Sequence, residues 1–186
     1  MSSPGFIGII ANGEYKVAQY ARWHCGPEEQ GAEVMTFLAN ADLNILKAKV
    51  VNCRFVDNNE LEKLYVSVGY NPESDNGTIS NEVAKRFDEM YPSLSIHTGV
   101  DILDMVYESA SEILLLSHAD CLSAEFFDFA YIVNFDDGKL RCYESGVDNL
   151  YGEYDLDNIP TAEQLWSDYS VKMKSIYGED CFDEEE

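Results

Sequence analysis

Two β-hairpins stand out from the pattern of apolar and polar residues along the chain. The first runs from Phe6 to Trp23 and turns at Asn12-Gly13, and the second runs from Phe126 to Tyr143 and turns at Asp136-Asp137-Gly138. Their strands are rich in β-branched and aromatic residues, and Asn-Gly or Asp-Gly supplies the positive φ angles of a tight turn. The pattern therefore predicts one hairpin at the start of the chain and one late in it.

Helical periodicity dominates the residues between the hairpins and returns near the end of the chain. Apolar residues recur there three and four positions apart, and N-capping residues such as Ser80, Thr98 and Thr161 precede several of the repeats. The pattern predicts helices from Pro27 to Asn40, from Asp42 onward, from Asn59 to Val68, from Ser80 to just before Pro92, from Thr98 to Leu116 and from Thr161 to Gly178.

Periodicity leaves one segment ambiguous between helix and strand, and composition indicates a loop in another. The run from Val50 to Val56 fits either a helix or a strand, because periodicity does not distinguish the two in so short an apolar run. The acidic, Tyr-rich segment from Val147 to Ile159 is predicted to be a loop.

The order ββ, four or five helices, ββ, α belongs to the α+β class. Strands do not alternate with helices, which argues against an alternating parallel sheet. We expect an antiparallel sheet formed by the N-terminal and the late hairpin, covered by the central helical block and the C-terminal helix. At 186 residues the chain is predicted to be a single domain over 1–178, followed by an acidic, disordered tail at 179–186.

The first hairpin carries a resemblance to other proteins. The segment from Gly13 to Tyr20, followed by Trp23, Pro27 and Gln30-Gly31, resembles a group of uncharacterised small proteins of phages, bacteria and fungi. The late hairpin around Phe129–Phe135 is similar to theirs as well. The resemblance implies the order of the elements and no activity. This chain has His24-Cys25-Gly26 where an Asp-Gly-Tyr-like stretch would be expected.

Charge is the most extreme property of the sequence. Thirty-five acidic residues against twelve basic ones give a net charge of −23, and six of the acids lie in the last eight residues, which leaves −23 + 6 = −17 for the body. Such a surface repels nucleic-acid phosphates and anionic membranes and attracts basic proteins. We therefore expect no direct nucleic-acid or membrane binding. The alternative is that the acidity serves only solubility.

The cysteine pattern and the first residues of the chain are used to predict the cellular compartment. Five cysteines form an odd set without C-x-x-C spacing, which argues against a disulfide framework and a structural zinc site. The first residues show no signal-peptide pattern, so a cytoplasmic location is predicted. No metal site or cofactor is expected, since phosphate-binding glycine loops and metalloprotease, serine-hydrolase and EF-hand motifs are absent from the sequence.

The junction between the first hairpin and the first helix is the best local candidate for chemistry. A thiol placed just before a helix start feels the helix dipole, which would lower the pKa of Cys25 and favour a nucleophilic thiolate. His24 is next to it in the sequence and is a candidate to assist. The alternative is a turn in which Cys25 packs and His24 faces water. Four further residues of this region are candidates for binding, namely Tyr20, Arg22, Trp23 and Gln30.

A second candidate set lies in the acidic segment after the second hairpin. Asp148, Glu153, Asp155 and Asp157 are close together in the sequence, but their spacing does not fit a calcium-binding loop. We interpret them as a solvated surface that could contact a partner.

The leading hypothesis is an acidic protein-binding module, with inhibition of a basic, nucleic-acid-binding protein as its specific form. The rival hypothesis is a small hydrolase or transferase that uses the junction around Cys25. A structural or assembly protein is the third. An enzyme should show a concave pocket with perturbed titrating groups, whereas a module that mimics nucleic acid should present carboxylates along one convex face.

Overall fold

The strands and helices occur in the predicted order, with three strands added. A computed structural model describes residues 3–74, 77–123, 126–145 and 149–178. The strands are β1 (Gly5–Ala11), β2 (Glu14–Ala21), β3 (Cys53–Phe55), β4 (Ile113–Leu115), β5 (Phe129–Asn134), β6 (Lys139–Glu144) and β7 (Leu150–Asp155). The helices are α1 (Ala32–Asn40), α2 (Leu43–Val50), α3 (Asn58–Ser67), α4 (Asn81–Met90), α5 (Asp101–Glu108) and α6 (Ala162–Tyr177). A π-helical turn at Pro27–Gly31 leads into α1.

The main sheet joins the two hairpins. Its strand order is β2-β1-β5-β6-β7. The pairs β1–β2, β5–β6 and β6–β7 are antiparallel, and the central pair β1–β5 is parallel. A parallel pair needs a long crossover, which residues 22–128 with the helical block provide. Both hairpins and the α+β class with a mostly antiparallel sheet are confirmed.

The turns of the two hairpins are connected to each other. Asn12 and Gly13 have φ angles of 58° and 76°, as the first turn requires. Their backbone N–H groups donate to the two carboxylate oxygens of Asp136, at 2.8 and 2.7 Å. Asp136 begins the turn of the second hairpin, so one turn caps the other across the parallel strand pair.

Strand β7 replaces part of the loop that was predicted for Val147–Ile159, and that prediction is wrong for Leu150–Asp155. Two of the acids in this segment are paired across the sheet with β6. The Arg141 Nε atom lies 2.8 Å from Glu153 Oε2, and Lys139 Nζ lies 2.8 Å from Asp155 Oδ1. Cross-strand pairs of opposite charge stabilise antiparallel strands, so the acidic composition is compatible with an edge strand.

A second, two-stranded sheet resolves the ambiguous segment and corrects one helix. Residues Val50 to Val56 divide into the end of α2 and strand β3, which pairs in parallel with β4. The helix predicted from Thr98 to Leu116 is therefore too long, because α5 ends at Glu108. Thr98 does not cap it, since its hydroxyl donates to the Pro92 carbonyl at 2.6 Å.

Alternate residues of the sheet build two apolar layers. The larger core lies on the face covered by α1, α2, α5 and α6 and includes Ile7, Ile9, Tyr131, Val133 and Leu140. The opposite face carries a smaller cluster that includes Phe6, Ala130 and Ile132, and a third cluster forms where α3 and α4 meet. The C-terminal helix and part of the central helical block therefore cover one face of the sheet, whereas α3 and α4 pack on each other beside it.

The C-terminal helix agrees with its sequence pattern. The Thr161 hydroxyl accepts a hydrogen bond from the Gln164 N–H at 3.2 Å, as expected for an N-cap. Leu165, Tyr169 and Met173 are buried on its inner face. Gly178 ends it with a φ angle of 99°. The predicted tail at 179–186 lies outside the described residues. In the part of the chain that the structure describes, no helix is long and apolar enough to cross a membrane.

Candidate functional site

The bend between β2 and the π-helical turn is held by its backbone. His24 adopts a φ angle of 58°, in the left-handed region that residues other than glycine rarely occupy. The Cys25 N–H donates to the Ser3 carbonyl at 3.0 Å, and the Cys25 carbonyl accepts a hydrogen bond from the buried Tyr131 hydroxyl at 2.9 Å. These two hydrogen bonds join the bend to β5 and to the residues that precede β1.

The Cys25 thiol is shielded from solvent. Its residue is 1% exposed, and Sγ lies 3.3 Å from the Trp23 carbonyl and 3.4 Å from that of Ala21. Burial, with a smaller contribution from the charges of Glu29 and Asp128, raises the pKa of Cys25 to about 12. The predicted lowering of this pKa is wrong, because burial outweighs the dipole of the helix that follows.

The other candidates at the bend contact one another. His24 Nδ1 lies 2.7 Å from Glu29 Oε1, which makes an ion pair when the imidazole is protonated. The Gln30 side-chain amide donates to the Trp23 carbonyl at 3.0 Å. The Arg22 guanidinium lies 5.0 Å from the centroid of the Trp23 ring, and Trp23 is 47% exposed. These contacts stabilise the bend and leave one indole at the surface.

Tyr20 belongs to the covered edge of β2. Its backbone N–H lies 3.4 Å from Nδ1 of His118, and the His118 N–H donates to the Ala18 carbonyl at 2.9 Å. Burial lowers the pKa of His118. The segment around His118 therefore occupies the hydrogen-bonding edge that β2 would otherwise present to another strand.

The acidic residues predicted after the second hairpin do not gather into a cation site. Glu153 and Asp155 are paired with basic residues of β6, and Asp157 is exposed in the turn after β7. Asp148 lies outside the described residues. Among the residues that the structure does describe, no group of three or more His, Cys, Asp or Glu side chains could hold a metal ion.

A groove of about 650 Å³ lies between α5 and the segment formed by the π-helical turn and α1. We call it the acidic groove. Its lining residues carry five carboxylates and two aromatic rings, and the remaining ones are small or neutral. The lining consists of Glu28, Glu29, Ala32, Glu33, Thr36, Phe37, Asn40, Ala41, Asp104, Tyr107 and Glu108. Lysine and arginine are absent from this lining.

Helical spacing brings these residues to the groove from both sides. Glu29, Glu33 and Phe37 follow one another at four-residue intervals, which places them on one helix face. Asp104 and Glu108 are likewise one turn apart on α5, with Tyr107 beside them. The inner faces of the same helices bury apolar residues in the main core. The core therefore fixes the two walls.

An aromatic pair connects the walls. The Phe37 and Tyr107 ring centroids are 6.0 Å apart, with the planes at 89°, an edge-to-face geometry that aromatic rings prefer. The Tyr107 hydroxyl accepts a hydrogen bond from the Asp42 N–H at 3.3 Å. Both rings pack partly against the main core, so they are held at fixed positions in the groove.

The groove concentrates uncompensated negative charge. Within the described residues, Glu28, Glu33, Asp104 and Glu108 form no ion pair. Like charges one helical turn apart destabilise a helix by roughly 0.2–0.5 kcal/mol per pair. Glu108 is also the last residue of α5, where the helix dipole disfavours a carboxylate. Glu108 is therefore kept at a cost in stability. The other four carboxylates of the groove lie in the first turns of their helices, where the dipole favours a negative charge.

The five carboxylates were not among the site residues predicted from sequence. The repeat Glu29, Glu33, Phe37 could have been noticed, because it lies opposite the apolar stripe of Val34 and Leu38. The contribution of α5 could not have been noticed, since it depends on how helices distant in sequence pack together.

No protein-family model, curated protein or solved structure matches this chain. Function is therefore inferred from the geometry and charge of the acidic groove. The resemblance of the segment from Gly13 to Gly31 to a group of hairpin-containing small proteins stays a prediction.

Proposed function

We propose that this protein is an acidic protein-binding module that engages a basic, nucleic-acid-binding partner through the acidic groove. One observation supports the proposal above all others. Five carboxylates line a single groove without a lysine or arginine among them, while the basic residues of β6 neutralise the acids of β7. Part of the unbalanced charge therefore lies in a concave groove, and not on the convex face expected of a nucleic-acid mimic.

Electrostatics explains how such a groove could act on its partner. Lysine and arginine side chains that bind phosphates also bind carboxylates, so a partner held in the groove would have fewer cations available for nucleic acid. The net charge of −23 would attract the partner from a distance and raise the association rate. The expected consequence is inhibition by occupation of the partner's basic surface.

The rival proposal, a hydrolase or transferase at the first junction, has weaker support. Its nucleophile would be Cys25, which is 1% exposed and whose pKa is raised to about 12. A thiol in this state is largely protonated near neutral pH and has little access to substrate. The junction geometry instead favours a structural role for Cys25.

A displacement assay tests the proposed function. A fluorescent single-stranded oligonucleotide is bound to a synthetic peptide rich in lysine and arginine, and the protein is added at several salt concentrations. The wild-type chain should release the oligonucleotide at low ionic strength and less effectively at high ionic strength, because salt screens exposed charges.

Two triple variants distinguish the effect of the groove carboxylates from the effect of net charge. One carries Glu29→Gln, Glu33→Gln and Glu108→Gln in the groove. The other carries Glu62→Gln, Glu73→Gln and Asp157→Asn, three exposed acids outside it. Exposed ion pairs contribute roughly 0.2–1 kcal/mol each, so the groove triple should weaken displacement on the order of tenfold. Equal losses in the two variants would reject the groove as the binding site, and no displacement by wild type would reject the function.

A further inference from the structure

We infer that the acidic groove recognises arginine in preference to lysine, so that its occupant is an arginine-bearing segment of the partner. The inference rests on the proposed function and narrows its ligand. It is carried by the aromatic pair Phe37 and Tyr107, which lines the groove together with the carboxylates. Carboxylates alone would attract either kind of cation.

The two cations differ in how they use an aromatic ring. The guanidinium of arginine is planar and weakly hydrated, and it stacks on aromatic faces while donating two parallel hydrogen bonds to a carboxylate. The ammonium of lysine is compact and strongly hydrated, and loses more on leaving water. A groove that combines rings with carboxylates therefore favours the guanidinium.

The placement of the residues supplies both kinds of contact on each wall. Glu33 precedes Phe37 by one turn on α1, and Glu108 directly follows Tyr107 on α5. A guanidinium in contact with the aromatic pair would thus have a carboxylate available from either helix. Because the two rings pack partly in the main core and Tyr107 is hydrogen-bonded to Asp42, this arrangement exists before the ligand arrives.

The size of the groove points to a segment and not to a single ion. Its volume of about 650 Å³ lies within the range of clefts that enclose ligands of several functional groups. Its carboxylates extend along both walls from Glu28 to Glu108, so more than one basic side chain of a continuous segment can be neutralised at once.

Two peptides test the inference directly. They share one sequence apart from their basic positions, which are all arginine in one and all lysine in the other. Binding of each to the full chain is measured by fluorescence anisotropy at the same ionic strength. The wild type should bind the arginine peptide about twofold to fivefold more tightly, the range expected for an exposed cation–π contact.

A pair of variants assigns the preference to the rings. Phe37→Leu keeps an apolar side chain and removes one ring, so it should weaken the arginine peptide and leave the lysine peptide nearly unchanged. Glu33→Gln should weaken both peptides, because either cation loses a carboxylate partner. A thermal melt of each variant verifies that it is folded.

The outcomes separate this inference from the proposed function. Equal affinity of the wild type for the two peptides would overturn arginine recognition and leave the binding module intact. An undiminished preference in folded Phe37→Leu would also overturn it. Binding of neither peptide would overturn both proposals. The wild-type comparison decides the question even if Phe37→Leu does not fold.

Discussion

Gly31→Ala should destabilise the protein although the position is helical. The backbone of Gly31 has φ −57° and ψ −47°, where alanine is normally favoured over glycine by about 1 kcal/mol. A Cβ atom built there would lie 2.5 Å from the Tyr131 hydroxyl oxygen and 3.1 Å from Leu165 Cδ2. Tyr131 and Leu165 are 1% and 0% exposed, so neither has free space to move into.

The magnitude follows from two destabilising contributions and one stabilising contribution. Overpacking a buried site costs roughly 1–3 kcal/mol. Displacing the Tyr131 hydroxyl also weakens its hydrogen bond to the Cys25 carbonyl, a contribution of about 0.5–1.5 kcal/mol. After the gain in helix propensity is subtracted, the free energy of unfolding should fall by roughly 1–3 kcal/mol.

Urea unfolding followed by far-UV circular dichroism measures this change. Gly26→Ala is the matched control, because a Cβ atom there meets its nearest neighbour, Phe129 Cε2, only at 3.9 Å. Alanine can adopt the extended backbone of Gly26, so the free energy of unfolding should rise by about 0.4–1 kcal/mol. In a Tyr131→Phe background the cost of Gly31→Ala should shrink, since the closest atom is gone. A Gly31→Ala protein as stable as wild type would refute the close packing of the turn against β5.

Three further predictions concern charges and the buried thiol. Asp136→Ala should lower the unfolding midpoint. Because hydrogen bonds from the Gly13 and Asn12 N–H groups lower the pKa of Asp136, the difference from wild type should be full above about pH 5 and shrink as the pH falls below about 4. A difference that does not depend on pH would contradict the connection between the turns. Native Cys25 should resist iodoacetamide at pH 8 and react once the chain is unfolded, as read by peptide mass mapping, and rapid native labelling would contradict its burial. Glu108→Gln should raise the free energy of unfolding by roughly 0.5–1 kcal/mol while weakening binding to basic peptides, whereas a loss of stability would show that this carboxylate supports the fold.

Local sequence patterns were sufficient for much of the fold. The hairpin turns at Asn12-Gly13 and Asp136–Gly138, and the cap at Thr161, depend on the conformational preferences of a few adjacent residues. The failures occurred where partners distant in sequence decide the structure. Strand β7 pairs with β6, whose Arg141 and Lys139 form ion pairs with the acids of β7, and β4 forms by pairing with β3.

The candidate site was harder to predict from sequence, because it too depends on contacts between residues that are distant in sequence. The junction at Cys25 was found, but its chemistry was predicted from the helix dipole alone, and the burial that raises the pKa comes from tertiary packing. The excess negative charge was also found, but not its location. The acidic groove exists only because α5 packs beside α1, about seventy residues away along the chain.

Chemical-shift mapping tests the central claim most directly. The ¹⁵N-labelled protein is titrated with the arginine peptide, and the backbone amide shifts are followed residue by residue. Binding in the acidic groove predicts that the largest changes fall in residues 28–41 and 104–108, and that they vanish in the groove triple variant. Changes centred on β7 and its turn, or spread evenly over the acidic surface, would contradict the assignment of the groove as the binding site.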